Sequence, residues 1–147
     1  MARKDKKRGK SGSPVNSFGS NKNRVILIII LTITFLSYYP SLQNDFTNWD
    51  DPTYVTENDL VTNFRLENIG QILSTPVSLN YHPLTILSLA IDYQLAELVP
   101  STYHRTNLIL HLLNTLLVFI LIYLICDKSK SAAAIVSLFF GIHPMHV

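Results

Sequence analysis

Two carboxylates stand side by side at Asp50 and Asp51, between Trp49 and Pro52, in the stretch NDFTNWDDPTYVTEND (44–59). An acid pair of this kind offers three chemistries. One carboxylate can act as general base on an acceptor hydroxyl. Both can hold a divalent cation through oxygen ligands. Alternatively the pair only closes a turn, because Asp before Pro is ordinary turn chemistry.

A second set of groups lies further along. His104, Asn107, His111 and Asn114 are spaced 3, 4 and 3, which puts all four on one face of a helix. His143 and His146 flank Pro144 close to Val147. The four histidines could bind zinc, although a lone His-x-x-His pair lacks the i, i+4 spacing of the usual helical zinc site. Their structural alternative is hydrogen bonding between helices, shared with the two asparagines. Arg105 could grip a phosphate with its forked guanidinium, or serve only as an interfacial anchor.

The elements that must position these groups are read from hydropathy and charge. Nearly half of the 147 residues are hydrophobic, and they gather in three dense blocks, as membrane spans do. Residues 1–24 carry eight Lys or Arg against one acid, and read as a disordered basic tail. A first span is expected over 25–42, with Arg24 snorkelling and Tyr38 and Tyr39 at the far interface. No A-x-A-like cleavage site follows it, so it reads as an uncleaved anchor.

A loop then runs over 43–103, with eight acids and, among basic residues, only Arg65. A second span follows over 104–126, an inner loop with Lys128 and Lys130 over 127–131, and a third span over 132–147. The bias of basic residues puts the N-terminus inside and the acidic loop outside. Nucleic-acid binding by the tail is disfavoured by the span directly behind it. The last run stops at Val147 without a basic or polar tail, so the chain reads as the N-terminal piece of a larger multi-spanning protein.

Within the loop, apolar residues at Val61, Phe64, Ile69, Ile72 and Leu73 suggest a helix over 61–73, weakened by Gly70. A stronger one is expected over 84–98. There Leu84, Leu87, Ile91, Leu95 and Leu98 form an apolar stripe, and Thr85, Ser88 and Asp92 a polar one. At about 22 Å this helix is short for a crossing, and it fits the plane of the interface with its apolar face down. The polar face of the second span is confined to its outer half. His143 lies about 18 Å along the third span at 1.5 Å per residue. Acid pair, polar face and late histidines therefore converge on one level near the outer surface.

Several blocks carry a family likeness: FTNWDDPTYVTEND, HPLTILSLAIDYQLAEL, STYHRTNLILHLLN and AAAIVSLFFGIHPMHV. In this order and spacing the chain resembles the N-terminal part of the transmembrane and tetratricopeptide-repeat O-mannosyltransferase-like proteins, relatives of the protein O-mannosyltransferases. The resemblance implies an all-α integral membrane protein, the N-terminal part of a polytopic C-type glycosyltransferase bundle with a partly helical outer loop. It implies a polyprenyl-phosphate sugar donor, with mannose as a candidate sugar, and a protein or glycan acceptor. It gives Asp50 the role of general base, with Asp51 assisting in acceptor or cation binding, and it assigns His104, Asn107 and His111 to the Tyr-His-x-x-Asn-x-x-Leu-His pattern. Together with Arg105, His143 and His146 these are the candidate substrate-binding residues. His82 joins them where the family often has arginine before Pro-Leu-Thr, making a phosphate contact there pH-dependent.

The leading expectation is thus a multi-pass membrane glycosyltransferase acting on the extracytoplasmic side. The main alternative is a non-catalytic membrane scaffold that binds partners through its outer loop. A transporter fragment fits less well, because the inner half of the second span is nearly bare of polar groups.

Overall fold

The computed structural model describes residues 21–144. Those residues are helical throughout their regular structure, with no strand among them. The order is α1 (Asn21–Tyr38), a 3₁₀ turn (Tyr39–Gln43), a π turn (Pro52–Thr56), α2 (Asp59–Thr62), a 3₁₀ turn (Leu66–Asn68), α3 (Ile69–Ser74), α4 (Pro83–Ala96), α5 (Pro100–Ile125) and α6 (Lys130–Ile142). Among the described residues two stretches are long and apolar enough to cross a membrane: the 23 residues Asn21–Gln43 and the 26 residues Pro100–Ile125. At 1.5 Å per residue α5 is about 39 Å long, more than the roughly 30 Å of a hydrocarbon core.

Local chemistry sets the boundaries. Residues Asn21–Arg24, the last of the expected basic tail, are already helical in α1. Helix α5 begins at Pro100 rather than at residue 104, since a proline's fixed φ and missing N–H suit the first helical turn. It closes where Lys128 N–H bonds Tyr123 C=O at 2.9 Å, with Asp127 and Lys128 at φ 48° and 62°. Ser129 then caps α6 by accepting from Ala132 N–H at 3.3 Å. Helix α6 stops at Ile142. His143 is extended (φ −76°, ψ 124°), as the residue before a proline is driven to be.

The single helix expected over 61–73 is two short ones. Asn63 closes α2, with its side-chain amide donating to Asp59 Oδ1 at 3.0 Å, and Arg65 is extended at φ −136°, ψ 153°. The break falls there and not at Gly70, which lies inside α3.

Helices α1, α5 and α6 pack against one another. In lipid, apolar side chains gain little by leaving the solvent, so close packing of small residues must hold helices together. Here α6 presents Ala133, Ser137 and Gly141, four residues apart and all buried. They meet Ile30 and Thr34 of α1 and Thr115, Phe119 and Tyr123 of α5, which are also buried. The hydroxyls of Ser137 and Thr115 are satisfied within their own helices, donating to Ala133 C=O at 2.6 Å and His111 C=O at 2.9 Å. The outward sides of the helices are apolar, with Ile28, Ile29, Leu36, Leu117, Leu121, Leu124 and Phe139 exposed.

A second core lies in the loop. Val61, Ile72 and Ile86 are buried against Tyr54, Phe64, Val77 and Tyr93. Helix α4 is therefore apolar on two sides. Ile86 and Ala90 are buried, while Leu84, Ile91 and Leu95 of the expected stripe remain exposed. The polar stripe does not face water as a unit either, because Asp92 is buried.

The tightest point of the seam is Gly141. A Cβ there would collide with Thr34 Oγ1 and press on Thr115 Cγ2 at 3.2 Å. Gly141→Ala should lower the stability of the helix bundle by about 1–3 kcal/mol, the usual cost of overpacking. Thr34→Ala in the same chain should recover most of it. Denaturant unfolding in mixed micelles, run as a double-mutant cycle, measures both effects; additive losses would place the strain elsewhere.

Candidate functional site

The acid pair sits where the chain leaves α1. After the 3₁₀ turn the backbone extends through 44–47 and bends back into the π turn. Asp51 makes this bend: its Oδ2 accepts from Thr47 N–H at 2.6 Å and from Thr47 Oγ1 at 3.3 Å. Asp50 contributes its backbone carbonyl, which accepts from Tyr54 N–H at 3.0 Å. Its carboxylate stands exposed, whereas Asp51 is half-buried. The two acids thus differ in engagement: Asp51 closes the turn through its side chain, and Asp50 does so only through its backbone.

Beside this bend is a polar cavity of about 560 Å³, lined by Ser41, Asn44, Asp45, Thr47, Asp51, His104 and Asn107. It brings together three of the sequence-derived candidates: Asp51, His104 and Asn107. Asp50 is adjacent in sequence but does not line it. The imidazole of His104 is half-buried, and its Nε2 is buried without a hydrogen-bond partner among the described residues. Asp45, Ser41 and Asn44 were not among the candidates. Asp45 carried one signal, as a third acid in the same short stretch.

The other candidates lie elsewhere. His111 is buried in the helix seam, with its ring edge-on to Tyr38 at 5.2 Å and stacked on Phe140 at 5.6 Å. Its Nε2 is 2.8 Å from Gly141 C=O. A carbonyl only accepts, so this nitrogen carries the proton. His143 ends α6, and its carbonyl accepts from Tyr38 Oη at 2.8 Å. Arg105 is exposed, with Nη2 donating to Ser101 Oγ at 3.3 Å along α5. His82 leads into α4 with its ring 5.2 Å from that of Tyr54. His146 lies outside the described residues. Among the described residues no three or more His, Cys, Asp or Glu side chains stand together as a metal-ligand set.

The loop core is tied to α5 at three points. Thr106 Oγ1 donates to Asp92 Oδ1 at 2.6 Å, Tyr103 Oη donates to Glu97 C=O at 2.8 Å, and Phe46 meets the Tyr103 ring edge-on at 5.2 Å. Burial raises the Asp92 carboxyl above its ordinary range, and the Thr106 hydrogen bond partly opposes this. Phe46 and Tyr103 are sequence neighbours of cavity-lining Asp45 and His104, so their ring contact lies beside the cavity.

Comparison with known proteins gives a consistent set of relatives. The chain is 31% identical over 135 residues to protein O-mannosyl-transferase TMTC3 of Homo sapiens, a match covering 86% of this chain and 14% of the human protein. It is 28% identical over 173 residues to protein O-mannosyl-transferase Tmtc3 of Drosophila melanogaster, covering 99% of this chain and 18% of the fly protein. A shorter match, 37% identical over 71 residues, links 46% of the chain to 7% of protein O-mannosyl-transferase TMTC1 of Mus musculus. The chain therefore spans less than a fifth of the length of these curated relatives. No family model matches the chain, and no solved structure matches it.

Two outcomes test this geometry. Removing the Asp51 carboxylate with Asp51→Ala should speed hydrogen exchange at the Thr47 amide by about tenfold, equivalent to ~1.4 kcal/mol for a charge-assisted bond at a part-exposed site. Unchanged exchange would mean the bend is held by other contacts. At Asp92 the native carboxyl is the weaker acid, so the folded state binds the proton more tightly. Its stabilisation is then lost as pH rises from the ordinary carboxylate range through the raised value. Asp92→Asn keeps an acceptor for Thr106 and should flatten that pH dependence of unfolding; an unchanged profile would assign it to another group.

Proposed function

Because the chain is a TMTC-like relative of the protein O-mannosyl-transferases, we propose that it forms part of a membrane glycosyltransferase. In this reading it transfers a sugar, with mannose as the first candidate, from a polyprenyl-phosphate donor to a hydroxyl of a protein or glycan acceptor. The basic N-terminal segment stays cytoplasmic, and the acidic loop lies on the extracytoplasmic side. The donor's lipid tail is then solvated by the bilayer while its sugar meets the loop at the surface.

The observation that carries this reading is the polar cavity between the turn that follows α1 and the first turns of α5. Its wall combines Asp45, Asp51, His104 and Asn107, and the exposed Asp50 carboxylate is next in sequence to Asp51. Asp50 accepts the proton of the acceptor hydroxyl. The acceptor oxygen forms a bond to the anomeric carbon, and the bond from that carbon to the phosphate oxygen breaks, the phosphate leaving with the electron pair. Asp51, bonded to Thr47, holds the loop that carries Asp50. The negative charge gathering on the phosphate calls for hydrogen-bond donors and positive charge placed in advance. Arg105 supplies the charge, and its neighbour His104 on the cavity wall offers a ring N–H. His111 acts at one remove, by joining α5 to the end of α6.

One observation favours the alternative of a non-catalytic scaffold: an Asp51 oxygen is already engaged in closing the bend. The two readings separate on transfer of radiolabelled sugar from a lipid donor by membranes holding the complete protein. Asp50→Asn should reduce transfer by at least about a hundredfold, the lower end of what a general base contributes, with expression and membrane insertion intact. Undiminished transfer in that variant removes Asp50 from the mechanism. An absence of transfer in the parent protein favours the scaffold.

A further inference from the structure

The backbone is strained in an unexpected place. Residues 77–80 form a tight reversal closed by two backbone hydrogen bonds, Val77 N–H to Asn80 C=O at 3.0 Å and Asn80 N–H to Val77 C=O at 2.9 Å. Its two central residues, Ser78 and Leu79, have φ 50° and 65°. Turns that need positive φ at both central positions ordinarily carry Asn-Gly or Gly-Gly, because a side chain there is disfavoured. This turn instead spends its tip on a leucine, and that leucine is wholly exposed, at 101%.

The turn is also built to stay raised. Val77 packs on the buried loop core. Asn80 Nδ2 donates to Tyr54 Oη at 3.3 Å, and Tyr81 Oη donates to Leu73 C=O at 2.7 Å. Both anchors lie at its base, so the tip cannot fold back to bury Leu79 without breaking them. A strained residue held in place by its surroundings points to a use for the conformation.

Charge says what the tip meets. The loop is acidic, yet between Glu67 and Asp92 there is no Lys, Arg, Asp or Glu. That uncharged interval holds the tip, and with it the exposed Tyr81 and Leu84. It runs on into α4, where Ile91 is exposed on the same stripe as Leu84, and Leu95 continues that stripe beyond Asp92. A leucine, a tyrosine and an apolar helix face without charge suit the headgroup boundary, where aromatic rings settle and apolar side chains leave water. The acidic segments before and after the interval would be repelled from an anionic lipid surface.

We infer that the turn at 77–80 is a lipid-inserting tip: Leu79 dips into the interface of the bilayer that holds α1 and α5 and pins the loop core against it. The inference rests on the placement of those two helices in a membrane and not on the transfer reaction. Pinning would hold the cavity at a constant height above the lipid.

The test uses the full chain in lipid vesicles, in a Trp49→Phe background, with one tryptophan at a time. Leu79→Trp is the probe, Leu117→Trp on the outward side of α5 reports the span, and Glu57→Trp reports the acidic part of the loop. Brominated phosphatidylcholine should quench the probes at 79 and 117 at least twofold and leave the probe at 57 bright. Aqueous acrylamide should do the reverse. Lipid quenching at 117 but not at 79 overturns the inference and spares the membrane placement, whether 79 is then open to acrylamide or covered by protein. Loss of quenching at 117 as well overturns both. Leu79→Gly provides a second measurement that does not depend on a bulky probe. It relieves the backbone strain, yet it should let protease cut the turn in vesicles about tenfold faster; an unchanged rate overturns the inference.

Discussion

Everything in this structure hangs on how closely α6 approaches its two neighbours. The approach is possible because Ala133, Ser137 and Gly141 leave no side-chain bulk on one face of the helix. At Gly141 even a methyl group is too much. The same contact exposes the Gly141 carbonyl to His111, which donates to it across the seam, and brings the end of α6 under the hydroxyl of Tyr38. A seam of small residues thus positions an imidazole and a tyrosine. In a bilayer, where burial of apolar surface between helices contributes little, this geometric fit is the available source of cohesion.

The loop works on the opposite principle. It has its own apolar core around Val61, Ile72 and Ile86, of the sort that folds because water is present. Its attachment to α5 is polar and local: Thr106 to Asp92, Tyr103 to Glu97, with Phe46 against the Tyr103 ring. The cavity lies between these two regimes. Its wall is taken partly from the end of α1, partly from the bend closed by Asp51, and partly from the first turns of α5.

Much of this was legible without coordinates. The uncharged runs gave the two long apolar helices, and Pro83 suits the first turn of α4, whereas α5 starts at Pro100, ahead of the expected residue 104. The spacing of His104, Asn107, His111 and Asn114 identified one stripe of α5. What spacing left open was where the stripe points. At 100° per residue the four positions share an arc of about 80°, but they are spread over about 15 Å of helix axis and so meet different neighbours at different heights. His104 and Asn107 line the cavity, His111 enters the helix seam, and Asn114 borders an apolar groove with Leu117, Leu121 and Phe140. The polar stripe of α4 is divided in the same way: Thr85 is exposed, while Asp92 is buried against Thr106.

Sequence alone determined the local and the compositional: which segments are apolar enough to seek lipid, how the charges are distributed along the chain, and that Asp50 and Asp51 stand together. Those properties depend on a residue's own chemistry and that of its near neighbours. The tertiary structure decided how the acid pair divides its labour, with Asp51 turned inward to Thr47 and Asp50 left exposed, and it added Asp45 to the cavity wall. It also decided which histidine faces the cavity and which is locked in the seam. Such outcomes depend on distances between segments far apart in the chain, set here by a small-residue seam and a three-point joint that no local pattern specifies.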